Sequence, residues 1–321
     1  MCGAASRRQS ESMAARAASR EHSHRGAPSG NSRTEILMPL QIDVFNTGYR
    51  PVPSASPVWP DGQQATWPAT TATLVSGERD AILIDALTTK GQSKELSDWL
   101  LASRKSLTQI YITHGHGDHF FGLNTVLETF PEAKAVALPE VVPFATEQAS
   151  PEWLQVWERI FPDQLFAKPA VPVALPTAEM SVEGHAVLPI RFGQSDVSVS
   201  SAVHIPDLDT VIAGDIIYNN IHVWMFHSDH ERRMAWIETL GEIEKLRAKT
   251  IIAGHTDPDA PDNDGARILN QTRQYIRDFD EAVAASASGQ EVVSTMTHKY
   301  PNFGNPYTLW LGAHTQAYGG R

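Results

Sequence analysis

The sequence predicts an α/β fold: an αββα sandwich, two mixed β-sheets packed face to face and flanked by helices. Three observations predict it. Short apolar runs bounded by Gly, Pro or Asp recur in both halves of the chain, on either side of a helical middle. In the first half, strand, helix and strand follow each other with polar side chains gathered at a strand's carboxyl end, the layering of a site-bearing fold. Hydrophobic residues make up 41% of the 321 positions, enough for a sizeable core. Sandwiches of this length often form one domain, and residues 38–321 are read as that domain.

Residues 1–37 precede it as a tail rich in Ser, Ala, Arg and Gly, without apolar period, and are read as disordered. Its six arginines against three glutamates resemble an organelle transit peptide, and Met38, directly before a strand pattern, reads equally well as the true start. His22 and His24 are read as incidental. The spacing predicts strands at 40–49, 71–76 and 81–85, the last two forming a hairpin that turns near Gly77-Glu78. Residues 51–68, rich in proline and carrying Trp59 and Trp67, are read as a loop rimming a site. A helix at 93–103 has Leu96, Trp99 and Leu100 at helical spacing, a buried strand follows at 109–113, then a helix at 123–130 and a strand at 133–138. Further helices are predicted at 141–148 and 152–160. Trp153, Trp157, Phe161 and Phe166 are read as core packing, with an apolar lid over a pocket as the alternative. Strands at 186–191, 197–204 and 210–213 supply a second sheet, and long helices at 231–246 and 265–287 cover it.

The stretch Tyr111-Ile112-Thr113-His114-Gly115-His116-Gly117-Asp118-His119 concentrates the chemistry. Three imidazoles and a carboxylate crowd six residues, separated by glycines that let the backbone turn and keep bulk away from a bound ion. Alternate positions of an extended backbone point the same way, so His114 and His116 can share one ion while Asp118 and His119, past the bend, reach a second. The single cysteine, Cys2, excludes a disulfide framework and a cysteine-built zinc site, which leaves His, Asp and neutral oxygens as donors.

This stretch resembles the HxHxDH signature of the metallo-β-lactamase-fold hydrolases. Two later dipeptides fit the same pattern: Gly214-Asp215 after Val211-Ile212-Ala213, and Gly254-His255 after Ile251-Ile252-Ala253. The resemblance implies a first metal site with His114 and His116, a second with Asp118, His119 and His255, and Asp215 bridging both. Where relatives carry a Gly-His pair ahead of the bridging acid, this chain has Gly193-Gln194, and a glutamine offers only an amide oxygen. Gln194 is assigned the remaining position of site one, with His204 or no ligand as the alternatives; His185 lies too early. Asp85, at the end of an apolar strand, is either the buried acid that braces the metal loop in matching relatives or a simple strand-end cap. Tyr218 matches the tyrosine that touches the substrate carbonyl in lactone-opening members, and it also reads as a packed tyrosine. Of His222, His227 and His230, only His222 is assigned to the pocket as a substrate contact, with a core or surface histidine as the alternative; the other two are read as a solvated helix start.

The chemistry implied is hydrolysis. Two divalent ions about 3.5–4 Å apart bring the pKa of a bridging water near neutral and aim hydroxide at a carbonyl carbon. Asp118 orients the nucleophile and passes a proton to the leaving group, and Tyr218 adds an oxyanion hydrogen bond. The ions are expected to be zinc (Zn2+), with iron or manganese open at site one because of the oxygen donor at position 194. Aromatic and neutral residues dominate the expected pocket, so the preferred small-molecule substrate is a mostly apolar lactone or lactam. Thioester hydrolysis of the glyoxalase II kind is the alternative, and a non-catalytic binding protein on the same fold also stays open. Phosphodiesters and nucleic acid are disfavoured, because the chain carries a net charge of −11 and the residues after the arginine-bearing tail are more acidic still, which repels phosphate. No run approaches the ~18 apolar residues of a membrane span and no secretory signal core is present, so a soluble, cytoplasmic enzyme is expected. Residues 300–310, rich in aromatics, are expected to pack on the body or to join a homodimer.

Overall fold

The computed structural model describes residues 38–55, 64–177 and 179–318. The arginine-bearing tail and the middle of the proline-rich loop, with Trp59, lie outside the described residues. Strand β1 (Gln41–Asn46) comes first, then a two-stranded ribbon of β2 (Arg50–Pro51) and β3 (Thr66–Trp67), then the hairpin β4 (Thr71–Ser76) and β5 (Asp80–Ile84). Helix α1 (Lys90–Ser103), β6 (Ser106–Tyr111), α2 (Gly117–Phe120), α3 (Leu123–Thr129) and β7 (Lys134–Ala137) follow, and α4 (Val142–Gln148), α5 (Pro151–Ile160) and β8 (Val173–Ala174) close the first half. The second half holds β9 (Met180–Val182), β10 (His185–Phe192), β11 (Ser200–Ile205), β12 (Thr210–Asn219), α6 (His230–Glu244), β13 (Thr250–Thr256), α7 (Gly265–Ala285), α8 (Gly289–Lys299) and α9 (Pro306–His314).

These strands build two main mixed sheets, ordered β1-β4-β5-β6-β7-β8 and β13-β12-β11-β10-β9. The hairpin β4–β5 is antiparallel, whereas β5, β6, β7 and β8 run parallel, as strands joined through helical crossovers must. In the second sheet only β12 and β13 are parallel, joined through α6. Leu74, Ile82, Ile84 and Ile110 of the first sheet share one apolar cluster with Val187, Val203, Ile212 and Ile252 of the second, which makes that cluster the sandwich interior. A second cluster joins Ile216 and Ile251 to Trp236, Ile268 and Phe279, the buried faces of α6 and α7. Every residue of β4 and β12 is buried, the pattern of strands covered on both faces.

Two departures from the predicted elements bear on the site. Strand β11 begins at Ser200 instead of Val197, because Ser195 N donates to Val197 O at 2.8 Å and turns the chain there. Strand β12 runs on to Asn219, so Asp215 and Tyr218 lie inside a strand and not after one. The helix predicted from Ser93 begins at Lys90, where Thr89 and Gln92 form a reciprocal capping box. Trp157 and Phe161 are core residues, as read, while Trp153 on the same helix stays partly exposed. The C-terminal aromatics pack on the body: Phe303 stacks on Tyr275 of α7 at 5.8 Å. No helix among the described residues is long and apolar enough to cross a membrane.

Candidate metal centre

Strand β6 ends at Tyr111, and the chain beyond it is held between Asp85 N, which donates to Tyr111 O at 2.9 Å, and Val136 O, which accepts from Ile112 N at 2.9 Å. His114 follows within a bend, and His116, on extended backbone (φ −70°, ψ 141°), is the N-cap of α2. Asp118 and His119 sit on the first helical turn, and the turn brings the His119 ring to 4.2 Å from that of His114. Gly115 is required by packing against a neighbour: a Cβ there would lie 2.6 Å from Ala145 N, so what it keeps clear is the start of α4.

Seven donor side chains converge in two groups, buried except for the partly exposed His116 and Asp196. One holds His114, His116, Asp196 and Asp215, the other Asp118, His119 and His255. Asp196 Oδ2 lies 2.7 Å from His116 Nδ1 and 3.7 Å from His114 Nε2. Asp215 stands between the groups. Its Oδ2 is 3.9 Å from His114 Nε2 and 3.1 Å from His255 Nε2, and its Oδ1 is 3.1 Å from His119 Nε2. Asp118 Oδ2 lies 3.5 Å from His255 Nε2. Yet His114 Nε2, His119 Nε2, Asp196 Oδ2 and Asp215 Oδ1 are all buried without an aligned hydrogen bond. Close approach without alignment means that these atoms face shared points and not one another, which is how donors stand around a cation. The residues present fit metal ions.

Outer contacts hold the donors in place. Asp85, in the left-handed region at φ 63°, accepts from Thr113 N at 2.9 Å and from His119 Nδ1 at 2.9 Å, which turns His119 Nε2 inward. Tyr218 donates its hydroxyl to Asp215 Oδ2 at 2.8 Å, and the Trp67 indole N–H donates to Asp118 Oδ2 at 3.0 Å. Gly254 lets the β13 backbone press against the same carboxylate, since a Cβ there would lie 2.2 Å from Asp215 Oδ1.

Charge in the cluster is strongly coupled. Burial pushes the His255 imidazole down, but Asp215 and Asp118 outweigh it and bring the group up to about 9. His119 is likewise depressed by burial and driven well above its ordinary value by Asp215, Asp85 and Asp118. Burial raises the Asp215 and Asp118 carboxyls, and the facing imidazoles more than reverse it, so both lie below the usual range. His114 goes the other way, lowered by burial and by the neighbouring His119 charge. Protons on imidazoles thus balance the carboxylates in the metal-free chain, the positive charge that divalent ions replace.

A cavity of about 290 Å³ opens onto both groups. His116, Asp118, Asp196, Asp215 and His255 form its polar end. Trp67, Trp153, Val156, Trp157, Ile160, Trp224 and Phe226 wall the rest, and no Lys or Arg is among the described lining residues.

Residues 65–255 match the sequence model of the metallo-β-lactamase superfamily, well over half of the chain and all seven donors. The chain belongs to the metallo-β-lactamase superfamily. It is a metal-dependent hydrolase of that superfamily with a candidate metal site. No curated protein sequence matches it. Among solved structures, a β-lactamase domain protein from Burkholderia ambifaria is 14% identical with a TM-score of 0.56, over 84% of this chain and 86% of its own. A metallo-β-lactamase family protein from Thermus thermophilus is 16% identical with a TM-score of 0.54, over 83% and 91%. A metallo-β-lactamase from Pontibacter korlensis is 16% identical with a TM-score of 0.52, over 74% and 99%. At these identities the likeness concerns the superfamily fold.

Within this superfamily frame, three assigned residues stand elsewhere than the sequence suggested. Gln194 donates its amide Nε2 to Ser195 O at 2.8 Å, and the carboxylate beside His114 and His116 comes from Asp196 two positions on. The Ser195 turn swings Asp196 inward; an acid within a Gly-Gln-Ser turn between two strands was the available signal. Tyr218 is 2% exposed, gives its hydroxyl to Asp215 and is not among the residues that line the cavity. His222 is 1% exposed, paired with the Tyr275 hydroxyl at 2.9 Å and outside the cavity. His204 and His185 stay apart from both groups; His185 pairs with Asp207.

Proposed function

We propose that this superfamily hydrolase opens a small, uncharged and largely apolar lactone or related cyclic ester or amide. One observation carries the reading: the cavity joins a carboxylate- and imidazole-lined end to an aromatic wall without a cationic side chain among its described residues. Substrates bearing carboxylate or phosphate need a partner for that charge on burial, and an aromatic wall offers none. The same feature weighs against anionic thioesters such as the glutathione conjugates of glyoxalase II chemistry.

His114, His116, Asp196 and Asp215 would hold one ion, and Asp118, His119 and His255 with Asp215 the other. Divalent ions held there supply Lewis acidity, which acidifies water and polarises a carbonyl. Two imidazoles with carboxylate oxygens in each group suit zinc, and three carboxylates in all make the set receptive to iron and manganese as well. Asp118, which lines the cavity, is read as the group that would take a proton from water and return it to the leaving atom. Trp67, Trp157 and Trp224 orient the apolar part of the substrate and keep bulk water out.

The test is turnover by the metal-loaded enzyme of a panel of neutral aliphatic and aromatic lactones, carboxylated β-lactams and glutathione thioesters. Neutral lactones are expected to give the highest kcat/KM. Preference for a carboxylated β-lactam or a glutathione thioester would overturn the reading.

A further inference from the structure

Trp67 lines the aromatic wall and is hydrogen-bonded to the donor cluster as well. Its ring is edge-on to Trp157 at 5.4 Å and to Phe161 at 5.5 Å and tilted against Trp224 at 5.6 Å, and it is 5% exposed. Its Nε1 donates to Asp118 Oδ2 at 3.0 Å. That same oxygen lies 3.5 Å from His255 Nε2 and 4.0 Å from His119 Nε2. A carboxylate turns easily about its terminal torsion, so Asp118 has a defined face toward the two imidazoles only if something outside the cluster fixes it. The indole N–H is a donor only and cannot ligate a metal ion, so its effect on the ion must pass through Asp118.

We propose that Trp67 is a positioning residue for the second metal group: its N–H sets the rotation of the Asp118 carboxylate, and its packing against Trp157, Phe161 and Trp224 sets where that N–H points. The inference rests on the reading of Asp118 as a metal-facing residue. It makes the substrate-facing wall and the donor set one connected unit, in which a change of ring geometry reaches the ion through a single hydrogen bond.

Trp67→Phe keeps an aromatic ring and deletes the N–H; Trp157→Phe alters the same wall and leaves the N–H in place. Titration of the metal-free full chain with zinc chloride is expected to show two equivalents in the wild type. One of them should weaken by about 10–100-fold in Trp67→Phe and the other should stay unchanged; Trp157→Phe, which disturbs the ring packing but keeps the N–H, should weaken that same equivalent by a smaller factor. In ¹H–¹⁵N spectra of the wild type, the indole resonance that is absent from Trp67→Phe should shift most on zinc addition, a reading that does not require the variant to fold well. Equal zinc affinities in Trp67→Phe and wild type, an equal loss in Trp157→Phe, or a Trp67 resonance that ignores zinc overturns the inference. A wild-type protein that takes up no zinc overturns the metal reading of Asp118 and the inference with it.

Discussion

Asp196 Oδ2 sits 2.7 Å from His116 Nδ1 without the alignment of a hydrogen bond, so the two atoms face a common point. An aspartate thus stands where the sequence pattern led us to expect a glutamine. Asp196→Ala should lower the metal content of the purified enzyme by about one equivalent and cut turnover by roughly 100-fold or more, since it removes a charged donor from a buried cationic site. Gln194→Ala should leave metal content unchanged. Elemental analysis of both variants checks the pair, and the opposite result would return Gln194 to the ligand set.

Tyr218 reaches Asp215, and the measurable consequence is a split between KM and kcat. Burial and the adjacent Asp215 charge push the phenol well above its ordinary range, so it stays protonated and donates. Tyr218→Phe deletes a hydrogen bond to a charged group, worth about 1.5–3 kcal/mol. Metal affinity should fall about tenfold and kcat with it, while KM stays near the wild-type value because Tyr218 does not line the cavity. A raised KM with intact metal binding would show that the hydroxyl meets substrate after all.

Asp85 makes the case for charge rather than shape. Asn tolerates its left-handed backbone and can still accept from Thr113 N, so Asp85→Asn keeps the turn but replaces a carboxylate opposite His119 Nδ1 with a neutral amide. Metal affinity is expected to drop about 10–100-fold with little change in the melting temperature of the metal-free chain. Isothermal titration and thermal unfolding of the metal-free variant would separate these effects, and unchanged affinity would reduce Asp85 to a strand-end cap.

The pH dependence of stability should carry a signature of His222. Burial lowers its imidazole to about 3, against an ordinary value near 6.5. In that interval the unfolded chain binds the proton and the folded chain does not, so stability rises with pH from about 3 to 6.5 and is lost as pH falls below 6.5. The full effect is on the order of 4 kcal/mol. His222→Asn, which can still pair with the Tyr275 hydroxyl, should flatten that acid limb in urea unfolding followed between pH 4 and 7. An unaltered slope would place the titration elsewhere.

Much of the site is readable in the sequence, and the reasons differ by residue. His114, His116, Asp118 and His119 are legible because local spacing alone brings them together, and Asp215 and His255 because each follows an apolar run at the place the family pattern gives it. Asp196 was not, since its inward direction depends on the turn at Ser195 and not on its distance along the chain. Tyr218 failed for a geometric reason. Three residues on from Asp215, a regular strand would send it to the opposite face, but β12 shifts register between Gly214 and Tyr218 and returns the two side chains to one side. Burial of His222 likewise comes from α7 and the segment around Phe303, distant in sequence.

The seven donors divide by sheet. His114, His116, Asp118 and His119 lie beyond β6 of the first, while Asp196, Asp215 and His255 belong to the second and its connections. A chain severed between β8 and β9 would leave two half-sandwiches, neither owning the bridging carboxylate together with the histidine loop. Neither fragment should retain an ion after dialysis, and mixing them should restore uptake only as the halves find each other. Metal binding in this protein therefore doubles as a report on assembly: an ion held tightly certifies that both halves are present and correctly seated.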